Sequence, residues 1–195
     1  ARRILVGVAD RHVEFDPFVV GELEHERRVA FIAYALVMQV TEKLLRDLGE
    51  QAIKRLGNPG ILVHGVSLKP GKPVIIGLCD KIPVFGLPGH PVSAMVCFDF
   101  FVRPAIQRLS GISQVTSDNQ PSVQDRLKRN INSAAGRLDV VRVQLEFEED
   151  VLQARPILGK SGAISTLSQA HGYFLIEEDS QGVSTDDIVD VYLYR

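Results

Sequence analysis

Tryptophan is absent from this 195-residue chain, cysteine and methionine occur twice each, and aromatic residues make up only 7% of it. The two cysteines, Cys79 and Cys97, stand in apolar runs without metal-ligand spacing. They exclude a disulfide framework and read as buried free thiols in a reducing compartment. Excess charge of one sign is lacking too: 22 Lys and Arg against 24 Asp and Glu leave a formal net charge of −2. That balance argues against nonspecific nucleic-acid binding, so any basic site must be local. No apolar run is long enough to span a bilayer; Ala30-Phe-Ile-Ala-Tyr-Ala-Leu-Val-Met38 is short and bordered by charge, so it reads as part of a core or interface helix and no membrane partner is expected. There is no signal-peptide pattern, internal repeat or low-complexity tract, and the cytoplasm is the expected location. The cluster His12, Glu14, Asp16, Glu22, Glu24, His25 and Glu26 fits no metal site of defined geometry and reads as solvated charge.

Proline and glycine are well represented, with 10 and 16 copies, and they concentrate the interest of the chain in two places. Lys69-Pro-Gly-Lys-Pro73 sets two lysines on a stiffened loop, and Leu87-Pro-Gly-His-Pro-Val-Ser93 heads an apolar run that reads as a helix ending at Leu109-Ser-Gly111. Between them Val74-Ile-Ile-Gly-Leu-Cys79 and Ile82-Pro-Val-Phe-Gly86 read as two buried strands separated by Asp80-Lys81. Pro104 is expected to interrupt and kink the helix. Either Pro/Gly turn alone is most often only a turn. Joined through one strand pair, they bring Lys69, Lys72, the helix start at residues 89–93 and the Ser93 hydroxyl into the pattern an oxyanion or phosphate site needs. The nucleotide-hydrolase phosphate loop, Gly-x-x-x-x-Gly-Lys-Ser/Thr, is not present.

From His64-Gly-Val-Ser-Leu-Lys-Pro-Gly-Lys-Pro73 through Phe85-Gly-Leu-Pro-Gly-His-Pro-Val-Ser93, Val102-Arg-Pro104 and Leu109-Ser-Gly111, the chain closely resembles the MoeA and gephyrin E-domain family of molybdopterin molybdenumtransferases. The resemblance continues, in family order, through Ser133-Ala-Ala-Gly-Arg137, Val141-Arg-Val143, Leu158-Gly-Lys-Ser-Gly162 and Gly172-Tyr-Phe-Leu-Ile176, and covers roughly residues 50–195. It implies insertion of molybdate into adenylated molybdopterin with release of AMP, assisted by a divalent metal such as magnesium whose ligands the sequence does not reveal. It implies that Lys69, Lys72, Ser93, Arg137 and Ser161 carry the catalysis and that Pro73, Pro88, Gly89, His90 and Pro91 line the molybdopterin site. His90 stands where the family commonly has asparagine, so an imidazole replaces an amide there. The family's acidic Gly-Asp-Glu turn and Ser-Gly-Gly-x-Ser motif have no counterpart here.

The expected fold is α/β: a partial α/β molybdopterin-binding-like domain over residues 1–115, with residues 1–40 not placed, followed by a small β-barrel-like domain over residues 120–195. The polar stretch between Gly111 and Val123 marks the boundary. Beyond it, Val140-Val-Arg-Val-Gln-Leu-Glu-Phe147 alternates, with Arg142, Gln144 and Glu146 on one face and Val141, Val143, Leu145 and Phe147 on the other. Residues 123–131, 151–154, 173–176 and 188–194 read as further strands, and residues 165–170 as a helical turn. Upstream, residues 3–8 read as a strand, Asp16-Pro17 as a turn, and residues 24–48 and 42–57 as helical. Two functions stay open: a transferase working as a homodimer, or a non-catalytic molybdopterin- or molybdate-binding or scaffold chain of the same fold.

Overall fold

The computed structural model describes residues 4–8, 11–15, 53, 55, 57–112, 120–148, 151–159 and 165–194. The chain divides into two compact units, Ala1–Val66 with Gly71–Val115, and Ser67–Pro70 with Thr116–Arg195. The helical expectations upstream of residue 50 and the Asp16-Pro17 turn lie outside the described residues, whereas the expected first strand is present as β1 (Ile4–Val8), paired antiparallel with β2 (Arg11–Phe15).

In the first unit β3 (Pro59–His64) begins a three-stranded antiparallel sheet. The register between β3 and its neighbour slips between Ile61 and Val63, and Leu62, the extra residue, is exposed. The two strands expected after the lysine loop are β5 (Ile75–Cys79) and β6 (Ile82–Gly86), which pair antiparallel with Cys79 opposite Ile82. The two-residue turn between them puts Asp80 (φ 47°) and Lys81 (φ 74°) both in the left-handed region, as a type I′ hairpin requires. The Asp80 carboxylate accepts from the Asn58 amide at 3.0 Å, while the Asp80 amide donates to the Asn58 carbonyl at 2.8 Å. Ile53, Ile75 and Cys79 form a small core, with Ile61 and Val84 packed against it.

Helix α1 (Pro91–Cys97) starts with proline in its first turn, where the missing N–H is no loss. It does not break at Pro104. The backbone widens over Phe98–Val102 into a π turn, with the Arg103 amide reaching back five residues to the Phe98 carbonyl, and continues as α2 (Arg103–Leu109). The wider turn relieves the clash and the missing donor that proline would bring to a regular helix. At the far end Gly111 (φ 87°) supplies the left-handed stop, with Gly111 N–H on the Arg108 carbonyl and Ile112 N–H on the Gln107 carbonyl at 3.0 Å each. This is the paired closure that caps orphan carbonyls at a helix end. Among the described residues no helix is long and apolar enough to cross a membrane.

The second unit contains β4 (Leu68–Lys69), β7 (Ser122–Leu127), β8 (Ile131–Asn132), β9 (Leu138–Glu148), β10 (Val151–Pro156), α3 (Ser165–Ser168), β11 (Gly172–Ile176), β12 (Gly182–Val183) and β13 (Ile188–Leu193). The strand order β10-β7-β13-β11-β9 closes on itself because β9 also pairs with β10, giving a five-stranded barrel. All barrel pairings are antiparallel except β10 with β7. Leu127, Ile131, Val143, Ala154, Phe174, Ile176, Val189 and Val191 fill the interior, and closure leaves no open barrel edge. The barrel-like domain expected from the strand pattern is therefore present. The two faces read from the alternation of β9 are kept: Val143 lies in the barrel core with Val141 and Leu145 packed against it. Burial does not follow face alone, for Arg142 on the other face is buried and donates to the Thr166 hydroxyl, while Phe147, near the end of β9, is 79% exposed.

Candidate functional site

The residues singled out in the sequence fall in both units. The short strand β4 adds to β9 in parallel, Leu68 opposite Leu138 and Lys69 opposite Asp139, with the Leu138 amide donating to the Ser67 carbonyl at 2.9 Å. Leu68 is buried and anchors the pairing. The consequence is that Lys69, far away in sequence, meets the bend before β9 that carries Arg137.

The meeting point is Asp139. Its carboxylate, only 4% exposed, accepts from Lys69 Nζ at 3.1 Å through Oδ2 and from Arg137 Nε at 2.7 Å through Oδ1, with Arg137 Nη2 at 3.4 Å from Oδ2. The side chains of Lys69 and Arg137 remain 55% and 34% exposed. Burial pushes the Asp139 carboxyl up, but the hydrogen bonds from Arg137 and Lys69, with the charge of Lys69, outweigh it and hold the group below the ordinary carboxylate range. The Ser133 hydroxyl itself is buried without a partner of good hydrogen-bond geometry. Two cations and one anion leave a single net positive charge. Arg137 Nη1 and two of the Lys69 protons have no partner among the described residues, so both cations keep donors for a ligand.

In the first unit, Lys72 is exposed on the turn that follows Gly71, and Pro73 is half-buried. That turn is braced by its backbone: the Val66 amide donates to the Lys72 carbonyl at 2.9 Å and the Gly65 amide to the Val74 carbonyl at 2.8 Å. The Cys97 thiol of α1 donates to the Gly71 carbonyl at 3.4 Å. Burial pushes that thiol up to about 12, so it stays protonated and can donate. Lys72 has no ion-pair partner among the described residues. Pro88 is buried, Gly89 and His90 are exposed, and Pro91 is half-buried. His90 precedes α1 in extended conformation and makes no side-chain cap, its carbonyl accepting from the Ala94 amide at 2.9 Å. Ser93 is buried, 5% exposed, rather than displayed at the helix start. Ser161 lies outside the described residues.

Lys69 and Arg137 are thus brought together, and the residue that joins them, Asp139, was missed by sequence reasoning. A signal was available: Arg137 and Asp139 stand two apart at the entry of a strand, the spacing that puts side chains on one face. The parallel pairing of β4 with β9 had no sequence signal. Among the described residues no three His, Cys, Asp or Glu side chains cluster as a metal site, and Asp139 is occupied by its two cations. The described residues do not fit a magnesium site.

Comparison with known proteins supplies a family context. Residues 124–194 match the family described as the MoeA C-terminal region (domain IV), and residues 44–108 match a probable molybdopterin binding domain. A putative molybdopterin biosynthesis protein of Methanocaldococcus jannaschii is 38% identical over 151 residues, covering 77% of this chain and 33% of that protein. The molybdopterin molybdenumtransferase of Haemophilus influenzae is 30% identical over 128 residues, covering 65% of this chain and 31% of the relative. The chain therefore spans about a third of the length of these two relatives. Among solved structures, a molybdopterin biosynthesis MoeA protein of Pyrococcus horikoshii superposes with a TM-score of 0.64 at 29% identity, over 89% of this chain and 42% of that one.

Proposed function

The chain belongs to the MoeA family, and we propose that it serves molybdenum cofactor biosynthesis by inserting molybdate into adenylated molybdopterin with release of AMP. The observation that carries this reading is the pair Lys69 and Arg137, held on one buried carboxylate with donors to spare. Molybdate is a tetrahedral dianion and the adenylated pterin carries phosphate. A planar guanidinium and an ammonium at fixed spacing bind such oxygens through charge-assisted hydrogen bonds. The chemistry asked of the protein is then mainly positioning and charge neutralisation: the cations hold the oxyanion while the adenylate departs. Lys72 is a separate exposed cation of the first unit, and its part in ligand binding is tested on its own. The same reading makes the working assembly a homodimer, which light scattering checks.

The test is AMP release. Adenylated molybdopterin incubated with the chain should yield AMP only when molybdate is added, and Arg137→Ala, which takes from Asp139 its nearest donor and so lowers stability, should abolish the yield at a temperature where circular dichroism shows the variant folded. Release that Arg137→Ala leaves intact would remove this site from the reaction. Pterin binding without any AMP release would instead favour the non-catalytic binding function. For Lys72→Ala, loss of one charge-assisted contact should weaken pterin binding by roughly ten- to a hundred-fold, measured by titration; unchanged affinity would exclude Lys72.

A further inference from the structure

We propose that Asp139 is a positioning residue of the oxyanion site: by gripping the Arg137 guanidinium side-on and the Lys69 ammonium together, it holds their remaining donors at one spacing for a tetrahedral dianion. This rests on the function proposed above.

Lys69 and Arg137 come from segments 68 residues apart and both are substantially exposed. Left to themselves, two long like-charged side chains would separate and sample many rotamers, all of which a bound anion would have to suppress. Asp139 removes that freedom beforehand. Its own position is over-determined: it is 4% exposed, it sits in the β9 ladder opposite Lys69, and the Ser133 hydroxyl stands beside it. The guanidinium is engaged through Nε and Nη2, which fixes the plane of the fork and leaves Nη1 on its outer side. A carboxylate so close to an anion site also costs anion affinity by simple repulsion. Charge and positioning therefore predict opposite signs. Neutralising Asp139 should tighten anion binding if only net charge matters and weaken it if orientation matters.

The experiment is calorimetric titration of the 195-residue chain with sodium molybdate, for the wild type, Asp139→Asn and Asp139→Glu, each repeated with added sodium chloride. Asp139→Glu keeps the charge and displaces the carboxylate by one methylene, so it serves where the asparagine variant folds poorly. Both variants should bind molybdate at least ten-fold more weakly and lose preference for molybdate over chloride. The Arg137 Nε–H resonance, discrete in the wild type, should average out in the variants. In a Lys69→Met, Arg137→Met background, adding Asp139→Asn should change nothing further. Wild-type binding that both variants keep or improve would overturn the positioning role alone. A wild-type chain that binds no molybdate would overturn the proposed function and this inference with it.

Discussion

Asp125 and Asp139 are both buried carboxylates of the barrel unit, and their surroundings push them in opposite directions. Asp125 accepts from the Arg126 amide at 2.7 Å through Oδ1, but its Oδ2 is buried without a partner; burial raises its pKa against that single hydrogen bond. Asp139 is held low by its cations. For Asp125 the cost of burying charge is absent below the unfolded value of about 3.9 and grows as pH rises through the raised folded value. Asp125→Asn should therefore stabilise the chain, least near pH 4 and most at pH 7. For Asp139 the sign reverses: its stabilisation is present above the unfolded value and lost as pH falls through the depressed folded value. Asp139→Asn should destabilise at pH 7, with the difference closing as pH falls below about 4. Urea midpoints across this range check both; parallel profiles for the two variants would contradict the account. The cysteines make a simpler case. Burial raises both thiols, with Asp80 adding to the effect at Cys79, and both donate to carbonyls. Since the thiolate is the reactive form, iodoacetamide at pH 8 should label the urea-unfolded chain and spare the native one. That these thiols are buried and free was legible from their apolar surroundings. The fate of Asp139 was not, because its role depends on a partner strand rather than on its own neighbours in sequence.

Among the elements, the hairpin β5–β6, the helix start at Pro91 and the glycine stop at Gly111 were all readable, because each is set by local chemistry: β-branched runs, a donor-free first turn, a left-handed cap. The π turn was not. Pro104 signals that a regular helix fails, but widening or breaking are both solutions, and packing selects between them. The burial of Arg142 was not legible either, because alternation gives its face but not what covers it, and the cover is Thr166, 24 residues further along the chain. Two glycines separate local from non-local demands. Gly111 has φ +87°, and a Cβ added there would meet nothing within 4 Å, so Gly111→Ala should cost only the left-handed penalty, about 1 kcal/mol. At Gly172 a Cβ would stand 2.4 Å from the Tyr192 carbonyl oxygen across the β11–β13 pairing, so Gly172→Ala should cost about 3 kcal/mol or more. Denaturant unfolding measures both; equal costs would contradict this ordering.

For the molecule as a whole, the division into a sheet-and-helix unit and a closed barrel explains how much the sequence could show. The longer strands of each unit announce themselves through pattern, whereas β2, β4 and β12 were not read from it, and the assignment of Ser67–Pro70 to the barrel unit is a long-range pairing that no linear boundary expresses. That pairing delivers Lys69 to Arg137, the juxtaposition on which the proposed function rests. The most direct test is a calorimetric titration of the chain with adenylated molybdopterin, with and without molybdate, beside the Lys69→Ala, Arg137→Ala double variant, at a temperature where circular dichroism shows both folded. The account predicts that the wild type binds and the double variant loses about a hundred-fold or more in affinity. Equal affinity in the two would contradict it.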